Sequence, residues 1–315
     1  MPSFAKTFIL VCVLMLAAIG QTMPEAALQP PDFDSMWDYN DPAATEKVFR
    51  ELLPQAKKSK NKSYYAQLLA QIARAQGLQG NFDSANLTLD RVQKMLSDEM
   101  LVARVRYLLE RGRVLNSSGS PEKAAPIFLE AWDLATASGK DYWAVDVAHM
   151  LGIVEPPEKQ LYWSLQALAI TEKTADQRAK GWLGPLYNNV GWTYHDLGQF
   201  DTALVYFQKG LEWREKTGDI QGTLIAKWTI GKTYHSLGRV KDALELQQDL
   251  EKEITAKELP KDGYVYEELA ELYLLKEDYT HARKYFKLAY DILSQDTWLQ
   301  ENQPDRLAHL KDNGE

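Results

Sequence analysis

The chain has 315 residues, 45% hydrophobic and 25% charged, with 18 Gly and 13 Pro, a balance that excludes collagen-like, disordered and coiled-coil chains. Its formal net charge of −8 argues against general nucleic-acid binding, which needs a basic surface. The 9 Trp and 16 Tyr supply bulky side chains for a large, rigid interior.

Residues 1–20 have the layout of a cleavable secretory signal: Lys6 near the start, an apolar run from Phe8 to Ile19, then Gly20 before Gln21. The run falls well short of the roughly 20 apolar residues that cross a bilayer. Export to the periplasm or medium of a bacterial host is therefore expected, with no membrane span. Cys12, the only cysteine, lies inside this segment behind Val11, where a lipoprotein signal favours a small residue. After cleavage the chain keeps 35 basic against 44 acidic side chains, a formal charge of −9, and no thiol for disulfides, nucleophilic catalysis or metal ligation.

Residues 21–40, with Pro24, Pro30 and Pro31, read as a linker. Residues 41–62 read as a capping helix and loop: Asp41 at the N-cap and Pro42 at the first helical position start a helix over 42–56, with Val48, Phe49, Leu52 and Leu53 on one face.

From residue 63 to 296 the sequence is periodic. Tyr194–Leu204 aligns with Tyr234–Leu244 at an offset of 40, so a duplication is the simplest account. Extending the register places a small residue at Ala73, Gly112, Ala148, Gly191, Gly231 and Ala270, the marks of six units. Twelve residues on stand Ala85, Ala124, Gln160, Ala203, Ala243 and Ala282, and four further Leu89, Phe128, Ser164, Phe207, Gln247 and Phe286. Turn clusters such as Gly80-Asn81 and Ser118–Pro121 split each unit into two helices. One such hairpin cannot bury its own apolar face, so the units must stack. Gln160, Ser164 and Pro156-Pro157 depart from the pattern and predict a distorted joint in unit three. Residues 297–315, with Trp298 and a helical stretch from Pro304 to Lys311, are expected to cap the last unit.

This small and bulky pattern, clearest from Gly191-Trp192-Thr193-Tyr194 through Ala203 and Phe207, resembles the tetratricopeptide-repeat family, in its longer subclass with units near 40 residues. The resemblance implies an all-α, right-handed superhelical solenoid of antiparallel helix pairs. It also implies a protein-binding scaffold whose first helices line a hollow. On that face the register places Arg74, Arg106, Arg113, Asn116, Tyr142, His149, Asn188, Trp192, His195, Trp228, Lys232 and His235. Arg74, Arg106, Arg113 and Lys232 are the only full charges on this stripe across the first five units, so the face reads as basic on an acidic chain. With Trp192, Trp228 and Tyr142 beside them, these cations suit a peptide or protein tail bearing carboxylates. The alternative is that Trp192 and Trp228 only pack between helices. Family members that clamp a C-terminal carboxylate use Lys, Asn, Asn, Lys and Arg; Asn188 and Lys232 match that set, but Trp192 stands where a further Asn belongs.

Catalytic readings lack their parts, with no phosphate loop, dinucleotide fingerprint, zinc-protease run or nucleophile elbow in the sequence. No cofactor, metal or nucleic acid is expected. His195 and His235 sit in adjacent units, but stacked helices lie about 10 Å apart and zinc holds each imidazole at roughly 2 Å. Glu267, Glu268 and Glu271 read as a solvated helix face. Asn61, Asn86 and Asn116 begin glycosylation triplets that matter only in a eukaryotic secretory pathway. A peptide-sensing regulator is the alternative function, and an enzyme a weaker one.

Overall fold

A computed structural model describes residues 30–315. The secretory-signal layout, Cys12 and residues 21–29 of the expected linker lie outside the described residues. What is described is all helical, without a strand.

Helix α1 spans Pro42–Lys58. Six antiparallel pairs follow: α2 (Lys62–Leu78) with α3 (Phe82–Gln93), α4 (Leu101–Ser117) with α5 (Pro121–Ala137), and α6 (Asp141–Val154) with α7 (Pro157–Lys173). After a single turn, α8 (Gln177–Lys180), come α9 (Leu183–Asp196) with α10 (Phe200–Thr217), α11 (Ile220–Ser236) with α12 (Val240–Ala256), and α13 (Gly263–Leu275) with α14 (Tyr279–Leu293). Two short helices, α15 (Thr297–Asn302) and α16 (Pro304–Gly314), end the chain. No helix among the described residues is long and apolar enough to cross a membrane.

The start of α1 follows from its cap: the Asp41 carboxylate accepts a hydrogen bond from the Ala44 N–H at 2.9 Å, and Pro42 occupies a position whose missing N–H costs nothing. Phe49, Ala56 and Thr45 face α2 and are buried. Within each unit the helices meet where the register places its small residue. A Cβ added to Gly112 would lie 2.4 Å from the Phe128 ring, and one on Gly191 2.5 Å from the Phe207 ring. Ala73, Ala148 and Ala270 are fully buried at the same place. Each pair thus leaves an apolar face that only its neighbours can cover, and the pairs stack into a superhelical solenoid of antiparallel helices.

Unit three departs from its neighbours through its linkage. Its helices are joined by Glu155 and Pro156 alone, and α8 is inserted before unit four, which accounts for the longer step from Ala148 to Gly191. Unit five departs in its interior. Gln247 stands where units two, four and six carry phenylalanine; it is fully buried and donates from Nε2 to the Trp228 carbonyl at 3.2 Å, leaving its Oε1 unpartnered. Thr229 and Thr233 of α11 are buried as well, and the buried apolar residues fall into separate groups around this unit.

The expected linker is not a free tether in its described part. Phe33–Met36 forms a single 3-10 turn, capped by Asp32, and Phe33 is 5% exposed against Phe49 and Tyr64.

Candidate functional site

The first helices of successive units stand side by side, and charged groups bridge them in a regular ladder. The residue just after the small position of one unit meets the residue two before the small position of the next. Arg74 reaches Glu110 at 3.4 Å, Arg113 reaches Asp146 at 2.5 Å, and Lys232 reaches Glu268 at 3.2 Å. Arg113 also contacts Glu110 of its own helix at 2.8 Å, and His235 Nδ1 lies 2.5 Å from Glu268. Between units three and five the ladder stops, because its first position is held by His149 and then Trp192.

Glu110, Asp146 and Glu268 are 1%, 5% and 2% exposed, so their charges depend on these partners. Burial pushes the Asp146 carboxyl up, but Arg113 and Arg74 outweigh it and hold the group below its usual range. Burial likewise raises Glu268, and the His235 bond with the Lys232 charge brings it below normal. Arg113 is held protonated: burial opposes its charge, and Asp146 and Glu110 more than restore it.

The basic face expected from the stripe is corrected by these contacts. Arg74, Arg106, Arg113 and Lys232 each have a carboxylate, contributed by Glu110, Asp34, Asp146 or Glu268. The position two before the small residue was outside the stripe, yet it lies four residues after one stripe position and three before another, hence on the same face. Glu267, Glu268 and Glu271 are also not a merely solvated face: Glu267 takes a bidentate pair from Arg306 of α16, and Glu271 accepts from His309 at 2.8 Å.

In the first three units the hollow is shared with the N-terminal segment. Asp34 receives both terminal nitrogens of Arg106 at 2.7 Å and Arg178 Nη2 at 3.4 Å. Burial raises the Asp34 carboxyl, but these guanidinium contacts win and hold it below its usual range. Trp37 donates its indole N–H to Gln71 at 2.8 Å, and Gln71 donates onward to Glu110 at 3.1 Å. Tyr142 lies beneath Arg178, 3.9 Å from the guanidinium to the ring, and burial pushes its hydroxyl pKa up. Asn116, near the end of α4, is half-buried.

The later units carry an aromatic row instead. Trp192 and Trp228 lie 5.9 Å apart, Trp228 and Tyr264 5.8 Å, and Arg306 stands 5.2 Å over Tyr264. All three rings are half-buried. The Trp228 indole donates to the Tyr264 carbonyl at 3.1 Å, and Trp192 also packs on Phe207, so each serves helix packing while part of it stays in solvent. Asn188 is half-buried one turn before Trp192. His149 packs tilted against Trp182 at 5.2 Å between ring centroids, and burial lowers its pKa. His195 bonds Ser236 at 2.9 Å and is also lowered by burial, while His235 turns to Glu268, so the two rings point to different partners.

Residues 182–252, units four and five, match a family model described as tetratricopeptide repeat. No curated protein matches the chain. Among solved structures, a signal transduction ATPase with a tetratricopeptide repeat sensor from Pyrococcus horikoshii is 16% identical with a TM-score of 0.66, the match covering 82% of this chain and only 41% of that one. The apo form of RapI is 14% identical with a TM-score of 0.65, covering 87% of this chain and 79% of that one. The apo quorum sensor NprR from B. thuringiensis is 15% identical with a TM-score of 0.58, covering 88% and 78%. At such identities the likeness is one of fold: the chain is an all-helical solenoid of tetratricopeptide-repeat-like architecture, and residues 182–252 match the repeat's own family model.

Proposed function

We propose that the protein is an exported interaction scaffold that binds a peptide or tail segment of a partner protein in its concave groove, outside the cytoplasm. The observation that carries this reading is the row Trp192, Trp228 and Tyr264, half-buried rings aligned along three successive units. Such a row offers flat apolar contact at low entropic cost, and Lys232, whose side chain keeps 36% of its exposure while touching Glu268, supplies a cation beside it. A preference for carboxylate-bearing partners rests on Lys232 and Arg306 exchanging their present partners, Glu268 and Glu267, for a carboxylate of the ligand. Its role is one of binding, without catalysis.

The test is capture of partner proteins from envelope extracts by the immobilised chain, followed by titration of the recovered partner. Trp192→Ala combined with Trp228→Ala is expected to weaken binding by at least about tenfold, since each anchor is worth roughly 1–3 kcal/mol, with the helical signal retained. Equal affinity for parent and variant would place the ligand elsewhere on the solenoid.

A second reading, a peptide-sensing regulator, is favoured by the occupation of the N-terminal hollow by the chain's own residues.

A further inference from the structure

The groove of units one to three holds an acidic and aromatic segment, built on the 3-10 turn Phe33–Met36, that belongs to no repeat. Arg106 is 2% exposed, and its carboxylate among the described residues comes from Asp34, 72 positions away, whereas Arg74, Arg113 and Lys232 are matched by the adjoining helix. Arg178, on the inserted turn α8, points at the same carboxylate and keeps half of its side chain in solvent. Immediately after the 3-10 turn, Trp37 spends its indole N–H on Gln71, and its ring stacks on Tyr39 at 4.9 Å beneath the Arg74 guanidinium. The segment does not fill the space: a cavity of about 390 Å³ remains against it, walled by Arg74, Arg106, Tyr142, Asp146 and Arg178.

A paired guanidinium fork plus an amide acceptor for an indole is a recognition site for a carboxylate and a tryptophan at fixed spacing. We propose that Arg106, Arg178 and Gln71 form a peptide site occupied in cis by Asp34 and Trp37, and that this site takes in trans a partner segment with the same chemistry. That segment has an aromatic residue, then Asp or Glu, then Trp three residues after the acid. This inference rests on the reading of the concave groove as peptide-binding, but uses other residues and another end of the array. A tethered occupant competes at high effective concentration, so the site has low apparent affinity until the cis contacts are broken.

The probe is a fluorescein-labelled peptide copying residues 30–40, titrated by anisotropy into full-length chains. The variant carrying Asp34→Ala and Trp37→Ala is expected to bind it at least tenfold more tightly than the parent. A peptide with Asn in place of Asp34 should lose at least tenfold on that variant, as should the variant with Arg178→Ala added. Equal, weak binding to parent and variant, with helical circular dichroism unchanged, overturns the proposal. Should the variant lose its helical signal, the parent decides: excess peptide must accelerate amide exchange over residues 32–39, and no acceleration overturns the proposal equally. A parent chain that sediments as a dimer and is split by the peptide would assign the site to a second copy, against a partner segment. Trp192→Ala with Trp228→Ala should leave this peptide's affinity unchanged, so failure here and failure of partner capture by the aromatic row are separate results.

Discussion

Arg113 stands between two carboxylates that have little access to water, Glu110 and Asp146, and its positive charge is the condition for both to remain ionised in place. Removing one partner of a buried pair leaves an uncompensated charge and usually costs about 3–5 kcal/mol. Arg113→Ala is therefore expected to lower the denaturation midpoint markedly, read by chemical unfolding. A variant as stable as the parent would show that the ladder carries no structural load and would return Arg113 to the pool of free groove cations. The identity of Arg113 as an inward-facing cation was legible from its register, because helical spacing fixes its face. Its partner is not legible from the same stripe, whose positions six before, three before, one after and four after each small residue pass over Asp146, two before Ala148. The same omission hid Glu110 and Glu268. Asp34 and Trp37 were hidden for a different reason: a Pro-rich stretch without period gives no register from which to infer a face.

At the scale of the helix pair, the sequence carried the fold because two kinds of residue recur at fixed spacing and each makes a contact with the other. Gly112 with Phe128 and Gly191 with Phe207 are the clearest cases. The insertion α8 was legible only as a longer step between units. The turn inside each pair shows a further regularity. Gly198 and Gly238 close the turns of units four and five with φ of 72°, and the equivalent residue in unit six is Glu277, at φ 59°. A side chain in this left-handed conformation costs about 1 kcal/mol or more, which glycine avoids. Glu277→Gly is expected to raise the stability of the last unit by up to about 1 kcal/mol, after the extra unfolded-state freedom of glycine is deducted. A thermal melt monitored by circular dichroism checks it, and a lowered midpoint would mean that the Glu277 side chain contributes more than its backbone conformation costs.

Over the whole molecule, the resolved shifts of the histidines and carboxylates run in one direction. Burial lowers His149 and His195, and the carboxyl groups of Asp34, Asp146 and Glu268 are held down by their cationic neighbours against the opposing effect of burial. All five bind a proton less readily in the folded chain than in the unfolded one. Stability is accordingly complete above the unfolded histidine value of about 6.5 and is lost as pH falls, first through the histidines and then, below about 4, through the carboxylates. The expected profile of melting temperature is level above about pH 7, declining toward pH 5 and steeper below pH 4. A melting temperature that rises on acidification between pH 7 and 5 would contradict the lowered pKa of the two half-buried histidines.

Gln247 ties the interior of unit five to the groove, since its side-chain amide holds the carbonyl of Trp228. A seam closed by one amide resists bending less than the phenylalanine-filled joints on either side. The superhelix should therefore breathe at this point, and the distance that varies most is the gap between the indoles of Trp192 and Trp228. If the aromatic row binds as proposed, the thickness of ligand it admits is governed from inside the wall, by the fully buried Gln247.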